Sequence, residues 1–278
     1  MSDVRDSFQQ LSVQGETIRI AQITDTHLTA YEGGKLLGVN TDRTLKAVID
    51  LAQQEREAPH LVLATGDLAD AGAANAYRRA IDYFGMLTPN QFWLPGNHDD
   101  VDVMRTIGGA QRNCDAVRAG AWQIVLLNSQ IAGEVNGRLG PAELAKLDRL
   151  LSNSEREGLH NLVCLHHHPV PIGCQWLDQQ IVSDSDDFFD VIDCYKSVRA
   201  VAWGHVHQEI ATRRGDVNLM CAPSTSIQFK PGQIDFALDD VPPGYRWLEL
   251  HADGRVDSGI SRVTAQKFDI DLDSKGYL

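Results

Sequence analysis

Long apolar runs are missing from this sequence, and none comes near the ~20 residues that a membrane-spanning helix needs. The N-terminal segment Met1–Gln10 lacks the basic start and apolar stretch of a secretory signal. The five cysteines are scattered and form no C-x-x-C pair, which argues against a disulfide framework or a thiolate zinc site. We therefore predict a cytoplasmic protein that does not enter a membrane.

Positive charge is also scarce. The 278 residues include 25 Lys and Arg against 38 Asp and Glu, which gives a formal net charge of −13. No basic cluster offers the face with which nucleic-acid binders neutralise phosphates, so the composition argues against DNA or RNA as a partner. A small anionic substrate stays open, because bound cations reverse the local field whatever the global charge is.

The hydrophobic content of 43% is ordinary for a globular protein. At this length we expect one domain over 1–278, in which 223–278 form C-terminal strands and a tail. The first two thirds alternate short β-rich runs with amphipathic helical patterns, and Thr41 is the expected N-cap of the first helix. The predicted strands are Ile18–Thr24, Leu61–Thr65, Phe92–Leu94, Gln123–Leu127, Leu162–Leu165 and Val198–Trp203. The predicted helices are Asp42–Arg56, Ala73–Met86, Val101–Ile107 and Pro141–Leu151.

The pattern changes after Trp203. Short turns separate four further runs that we interpret as consecutive strands of a β-meander: Glu209–Thr212, Val217–Cys221, Tyr245–His251 and Arg255–Thr264. Alternating strands and helices followed by a meander predict an α/β layered fold with mixed sheets.

Residues of metal-ligand type follow five of the predicted strands, where α/β folds collect their functional groups. These residues are Asp25 and His27 in D-T-H, Asp67 in G-D, Asn97 and His98 in G-N-H-D, His166 to His168 before Pro169, and His205 and His207 in G-H-V-H. A carboxylate bridges two cations, and imidazole and amide oxygen suit Mn²⁺, Fe, Co or Zn²⁺. Each motif alone is as easily a turn or capping group, but coincidence would have to explain five strand ends at once.

This ordered set of motifs resembles the calcineurin-like metallophosphoesterase superfamily. Two further stretches, Pro223–Pro231 and Pro243–Leu250, are similar to the bacterial class III 3′,5′-cyclic-AMP phosphodiesterases of the Icc/CpdA type. The resemblance implies a four-layer α-β-β-α sandwich, in which two mixed sheets are flanked by helices. It also implies two divalent or trivalent metal ions, with Fe, Mn and Zn as candidates.

Carried over by position, the resemblance implies two adjacent metal sites. One would use Asp25, His27 and His207, the other Asn97, His167 and His205, and Asp67 would bridge them. His167 is chosen because it stands two residues before Pro169. The roles of His166 and His168 stay open.

The resemblance further implies hydrolysis of 3′,5′-cyclic AMP to 5′-AMP by metal-activated water. Asn97 and His98 would contact the substrate, and His98 would protonate the leaving oxygen. Another metallophosphoesterase activity on small diesters or nucleotides is the main alternative. A non-catalytic scaffold is disfavoured because no motif is broken. A homodimer through the C-terminal strands or through Gln233–Pro243 also stays open.

Overall fold

The computed structural model describes residues 6–276, which form sixteen strands and six helices. The strands are β1 (Phe8–Leu11), β2 (Thr17–Ile23), β3 (Lys35–Leu36), β4 (Val39–Asn40), β5 (Leu61–Thr65), β6 (Gln91–Leu94), β7 (Ala116–Ala119), β8 (Trp122–Leu126), β9 (His160–Cys164), β10 (Val198–Trp203), β11 (Ile210–Arg214), β12 (Val217–Cys221), β13 (Gln228–Phe229), β14 (Leu238–Asp239), β15 (Gly244–His251) and β16 (Val256–Arg262). The helices are α1 (Thr41–Glu55), α2 (Ala74–Gly85), α3 (Val101–Arg112), α4 (Gly140–Arg156), α5 (Gln175–Asp178) and α6 (Ser185–Asp193).

Two mixed sheets dominate the fold. The seven-stranded sheet has the order β1-β7-β8-β9-β10-β12-β11, and the five-stranded sheet has the order β16-β15-β2-β5-β6. The central strands β8, β9, β10 and β12 run parallel in the first sheet, as do β2, β5 and β6 in the second. The carboxyl ends of parallel neighbours lie at one edge of a sheet, so each sheet gathers its strand-end residues on one side.

Three clusters of buried side chains define four layers. The inner faces of both sheets meet in one cluster that includes Leu63, Trp122 and Leu248. Helices α4 to α6 cover the outer face of the seven-stranded sheet, and α1 to α3 cover the outer face of the five-stranded sheet. Because alternate side chains of a strand point to opposite faces, strands buried on both faces are continuously apolar, as in Leu61–Thr65. The expected α-β-β-α arrangement is confirmed.

The expected C-terminal meander is wrong. Strands β11 and β12 form a hairpin at the edge of the seven-stranded sheet, whereas β15 and β16 form a hairpin that pairs with β2 in the other sheet. The intervening segment 222–243 passes from one sheet to the other. Pattern alone identifies each strand as half-buried but does not select its partner.

The beginning of α1 also differs from expectation. Its N-cap is Asn40, whose side chain accepts a hydrogen bond from the backbone N–H of Arg43 at 2.9 Å. Thr41 is the first helical residue, and its hydroxyl is fully buried. Strands β1 and β7, the short pairs β3–β4 and β13–β14, and helices α5 and α6 were not predicted. Within residues 6–276 no helix combines the length and the apolar character needed to cross a bilayer.

A buried arginine joins the two sheets. Arg246 on β15 is only 2% exposed, and its guanidinium donates to the carbonyl of Cys221 at 2.8 Å and to that of Ile210 at 2.9 Å. It also donates to the hydroxyl of Ser258 at 2.8 Å. These contacts fix β15 against the ends of β11 and β12. Arg246, which belongs to the stretch Pro243–Leu250, therefore has a structural role.

Candidate metal centre

The two sheets bring their carboxyl edges together at one place. Asp25 and His27 follow β2, Asp67 follows β5, and the G-N-H-D segment follows β6. From the seven-stranded sheet come the histidines that follow β9 and β10. Gln22 links the sheets directly beneath, since its amide donates to the carbonyl of Trp203 at 3.0 Å. The structure therefore brings together every strand end that the sequence singled out.

The backbone at these strand ends is strained. Among residues 6–276, six non-glycine residues have positive φ, and five of them are predicted site residues: Asp25 (52°), His27 (44°), Asp67 (52°), His205 (67°) and His207 (49°). A left-handed conformation costs an L-residue about 1–2 kcal/mol, and such strain concentrates at functional sites. The surrounding contacts hold these residues where relaxed backbone would not place them.

The glycines next to these residues allow close packing as well as unusual backbone conformations. Gly66 has φ +97°, and a Cβ there would lie 2.7 Å from the Cγ of His166. At Gly204 a Cβ would lie 2.7 Å from Oδ2 of Asp25. Gly66 makes a sharp turn, whereas Gly204 serves the close approach of the two sheets.

Asp25, His27 and His207 form the first cluster. The Nε2 of His207 lies 3.2 Å from Oδ1 of Asp25 and 3.2 Å from Nε2 of His27. The Nδ1–H of His207 donates to the carbonyl of Ile227 at 2.9 Å, so its Nε2 presents a lone pair to the cluster. Two imidazole nitrogens and a carboxylate oxygen thus converge, and Oδ2 of Asp67 lies 3.8 Å from His27.

Asn97, His166 and His205 form the second cluster. Oδ1 of Asn97 lies 3.2 Å from Nε2 of His166 and 3.1 Å from Nδ1 of His205. Oδ2 of Asp67 lies 3.2 Å from the same Nε2 of His166. The Nδ1–H of His166 donates to the carbonyl of Thr65 at 2.8 Å, which again turns the Nε2 lone pair inward. Asp67 therefore touches both clusters.

His167 lies next to the second cluster, where ligand atoms of His166, His167 and His205 are all within 4.8 Å of one another. Its Nε2 donates to the carbonyl of Val135 at 3.1 Å, and its Nδ1 lies 2.8 Å from the hydroxyl of Ser129. Both ring nitrogens are engaged by protein groups. The assignment of His167 by its position two residues before Pro169 stays a prediction.

The electrostatics favour a cation between the clusters. Burial raises the pKa of Asp67, but the charges of His166 and His98 outweigh it and hold that pKa well below its usual value. Burial lowers the pKa of His166, whereas the carboxylates of Asp67 and Asp25 raise it to about 9. The buried carboxylates of Asp25 and Asp67 thus create a negative potential that stabilises a positive charge nearby.

These donor sets fit divalent metal ions. Inward-facing imidazole lone pairs and carboxylate oxygens are borderline ligands, and the outer ring nitrogens of His166 and His207 are fixed by backbone carbonyls, as in established metal sites. The buried Nε2 of His205 has no hydrogen-bond partner within residues 6–276, whereas its Nδ1 faces Asn97. Ligand nitrogen and oxygen atoms that lie about 3.2 Å apart in these clusters need a cation or protons between them.

His98 lies beside the clusters and is half-buried. Its backbone N–H donates to Oδ1 of Asp67 at 2.9 Å, and its Nδ1–H donates to the carbonyl of Asp70 at 3.1 Å. Burial lowers the pKa of His98, but Asp67 and Asp70 more than compensate and raise it above the ordinary value. The ring packs edge-on to His27 at 4.8 Å between centroids.

Asp99, to which the sequence gave no role, organises the loops after β5 and β6. It is buried and accepts a hydrogen bond at 3.0 Å from the Gly96 N–H and one at 2.9 Å from the Tyr77 hydroxyl. It also accepts bonds from the N–H groups of Leu68 and Ala69. The acidic position of G-N-H-D was the available signal for this role.

The stretch Pro223–Pro231 lies directly behind the first cluster. The hydroxyls of Ser224 and Ser226 donate to the carbonyl of Asp25 at 2.7 and 3.1 Å. The ring of Phe229 stacks on His207 with centroids 4.2 Å apart and planes 13° apart. These contacts stabilise Asp25 and His207, which both have positive φ, from behind the first cluster.

More than half of the chain matches a known protein family. The sequence pattern of the calcineurin-like phosphoesterase family matches residues 18–209. The chain belongs to this family. Among curated relatives of this phosphoesterase, a 3′,5′-cyclic adenosine monophosphate phosphodiesterase, CpdA, of Pseudomonas aeruginosa is 40% identical over 94% of the chain and 96% of the relative. The CpdA of Escherichia coli K12 is 37% identical over 98% of the chain and 100% of the relative.

Solved structures agree on the fold. A dimetal phosphatase of Danio rerio has a TM-score of 0.62 at 16% identity and covers 90% of this chain and 100% of its own. The purple acid phosphatase PPD1 of yellow lupin has a TM-score of 0.59 at 12% identity and covers 92% of this chain and 53% of its own. At these identities the likeness extends to the fold alone.

Proposed function

We propose that this phosphoesterase uses two metal ions to hydrolyse 3′,5′-cyclic AMP to 5′-AMP. The pair of clusters joined by Asp67 supports the two-metal chemistry, because each cluster presents inward lone pairs and one carboxylate contacts both. The substrate is proposed from relatives named as cyclic AMP phosphodiesterases, which align over nearly the whole chain.

We assign one site to Asp25, His27 and His207 and the other to Asn97, His166 and His205, with Asp67 shared. His166 replaces His167 in this assignment because its Nε2 lies against Asp67 and Asn97, whereas both nitrogens of His167 bond elsewhere. The ligand types suit Mn²⁺, Fe or Zn²⁺. Bound metal ions would supply charge that holds the phosphate and would lower the pKa of a water to about 7.

The protein's own groups do the remaining chemistry. Asn97 and His98 line a cavity of about 130 Å³ that opens beside the clusters, together with Asp67 and His205. Since Nδ1–H of His98 is held by the Asp70 carbonyl, its Nε2 is the atom able to donate a proton to the substrate. Water attacks phosphorus, the bond from phosphorus to the 3′ oxygen breaks, and His98 gives that oxygen its proton.

Hydrolysis of cyclic AMP by chelator-stripped protein reloaded with Mn²⁺, Fe²⁺ or Zn²⁺ tests this function. Cyclic GMP, a 2′,3′-cyclic nucleotide and glycerophosphodiesters run beside it. We expect metal-dependent release of 5′-AMP, with cyclic AMP best by kcat/KM. Turnover of generic diesters without cyclic AMP would keep the metal centre and reject the substrate. Absence of hydrolysis with every metal and substrate would reject the enzyme.

Three further expectations remain proposals. The five unpaired cysteines support a cytoplasmic location, since disulfides are rare there. A single domain over 1–278 is supported by the shared core between the two sheets. A homodimer is an open alternative to a monomer, and sedimentation of the metal-loaded protein would distinguish them.

A further inference from the structure

Three aromatic side chains line the cavity that Asp67, Asn97 and His205 also line. This aromatic wall consists of Trp176, Phe229 and Phe236. The ring of Trp176 packs edge-on to Phe229 at 4.9 Å and to Phe236 at 5.2 Å between centroids. Gln180 is the additional polar side chain beside these rings in the lining. The cavity is thus lined both by groups of the candidate metal centre and by aromatic rings that pack edge-on to one another.

The dimensions suit one part of a substrate. The cavity, about 130 Å³, far exceeds the ~10–15 Å³ that a single water requires. It is smaller than the ~300 Å³ at which pockets for whole drug-sized ligands begin. A flat ring fits such a space while the rest of the molecule extends toward the clusters.

The aromatic wall is held by two anchored segments. The carboxylate of Asp178 accepts hydrogen bonds from the N–H groups of Ile172 at 2.7 Å and Gly173 at 3.0 Å, which fixes the loop before α5. The N–H of Gln175 donates to the carbonyl of Gln233 at 2.8 Å and joins this loop to the β13–β14 hairpin. Phe229 is 3% exposed and stacks on His207, so the wall is coupled to the first cluster.

We propose that the aromatic wall is the nucleobase subsite of this enzyme and that Gln180 selects adenine. The proposal rests on the proposed function, because it concerns the base of that substrate. Bases stack on aromatic side chains whatever their hydrogen-bonding pattern, so Trp176 and Phe236 give affinity. A glutamine amide pairs with the N6 donor and N7 acceptor of adenine, whereas guanine offers only acceptors at that edge.

Steady-state kinetics of Trp176→Leu, Phe236→Leu and Gln180→Ala in the metal-loaded enzyme test the proposal. We expect each aromatic variant to raise KM for cyclic AMP about 10-fold with little change in kcat. Turnover of a glycerophosphodiester, which has no base, should change less than about twofold. Gln180→Ala should lower the preference for cyclic AMP over cyclic GMP at least about fivefold. Trp247→Leu, on the five-stranded sheet away from the cavity, is the matched control.

Equal losses on cyclic AMP and on the glycerophosphodiester would overturn the subsite, since they would mark a structural role. Unchanged KM for cyclic AMP in both aromatic variants would overturn it too. If the wild type cleaves only base-free diesters, the proposed substrate fails and the subsite is tested separately. In that case 5′-AMP must inhibit this hydrolysis better than ribose 5-phosphate does, and Trp176→Leu must reduce that advantage about 10-fold. Equal inhibition by the two compounds would reject the subsite.

Discussion

His166 and His167 are adjacent in sequence but have opposite hydrogen-bonding environments. The inward Nε2 of His166 is 3.2 Å from Asp67, whereas Nε2 of His167 is bonded to Val135. We expect His166→Ala to reduce bound metal from two ions to about one per chain and to lower kcat/KM at least about 100-fold. His167→Ala should keep two ions at saturating metal, because loss of an outer contact weakens affinity only about 10–100-fold. Elemental analysis after gel filtration measures both.

The two variants control for each other, since they remove the same side chain from neighbouring positions. Loss of metal from His167→Ala together with full metal in His166→Ala would restore the assignment that the sequence alone suggested.

His98 lines the cavity, with its backbone N–H on Asp67 and its Nδ1–H on the carbonyl of Asp70. We expect His98→Ala to keep two metal ions and to lower kcat for cyclic AMP about 100-fold or more, because general acid catalysis contributes that much. A p-nitrophenyl diester, whose leaving group needs no proton, should lose far less. Stopped assays on both substrates measure the difference. Equal losses would argue that His98 binds the phosphate and does not protonate the leaving oxygen.

Most of the candidate site could be predicted at the residue scale because motif spacing places ligand types at strand ends. Asp25, Asp67 and His205 lie where that argument expects them. The choice between His166 and His167 stays a prediction, since it depends on which ring finds a carbonyl or hydroxyl from a distant segment. Ser129 and Val135, which engage His167, carry no local signal of that contact.

At the element scale, the beginning of α1 offers a direct comparison of two caps. Asn40 accepts a bond from the N–H of Arg43, while the buried hydroxyl of Thr41 has no partner within residues 6–276. We expect Asn40→Ala to lower the free energy of unfolding by about 1 kcal/mol and Thr41→Val to be nearly neutral. Urea denaturation followed by circular dichroism measures both. A larger loss for Thr41→Val would place the cap where the sequence suggested.

Arg246 is the polar tie between the β15–β16 hairpin and the other sheet. Arg246→Met would leave the buried carbonyls of Cys221 and Ile210 without this donor, so we expect a loss of about 2–4 kcal/mol in the free energy of unfolding. Arg213→Met, on the exposed face of β11, should stay within about 0.5 kcal/mol. Guanidinium titration gives both values. Similar values for the two variants would show that the tie adds no stability.

The elements themselves were largely predictable, because apolar periodicity reports burial. Leu61–Thr65 and Val198–Trp203 begin and end where the sequence placed them. The sequence did not show to which sheet β11, β12, β15 and β16 belong, because a half-buried strand fits either sheet equally well. Strand β1 was missed because its alternation is weak, with Phe8 still 39% exposed.

At the scale of the whole molecule, metal binding should stabilise the fold. Ions bind the folded chain preferentially, and at 100 times Kd this contributes about 2.7 kcal/mol, or roughly 5–10 °C in Tm. We expect this shift when stripped wild type is reloaded, and little shift in Asp67→Ala, which lacks the shared carboxylate. Asp82→Ala, an exposed carboxylate on α2, is the charge-matched control. Scanning calorimetry measures the shifts, and a full shift in Asp67→Ala would remove Asp67 from the centre of the site.

The proposed ligands are divided between the two sheets. Asp25, His27, Asp67 and Asn97 extend from the five-stranded sheet, and His166, His205 and His207 extend from the seven-stranded sheet. An ion bound by both sets of ligands would connect the two sheets at their carboxyl edges. A sliding motion between the sheets would then separate the ligands of each ion. Metal binding should therefore make this edge of the sandwich more rigid, and a rigid edge should in turn favour metal binding.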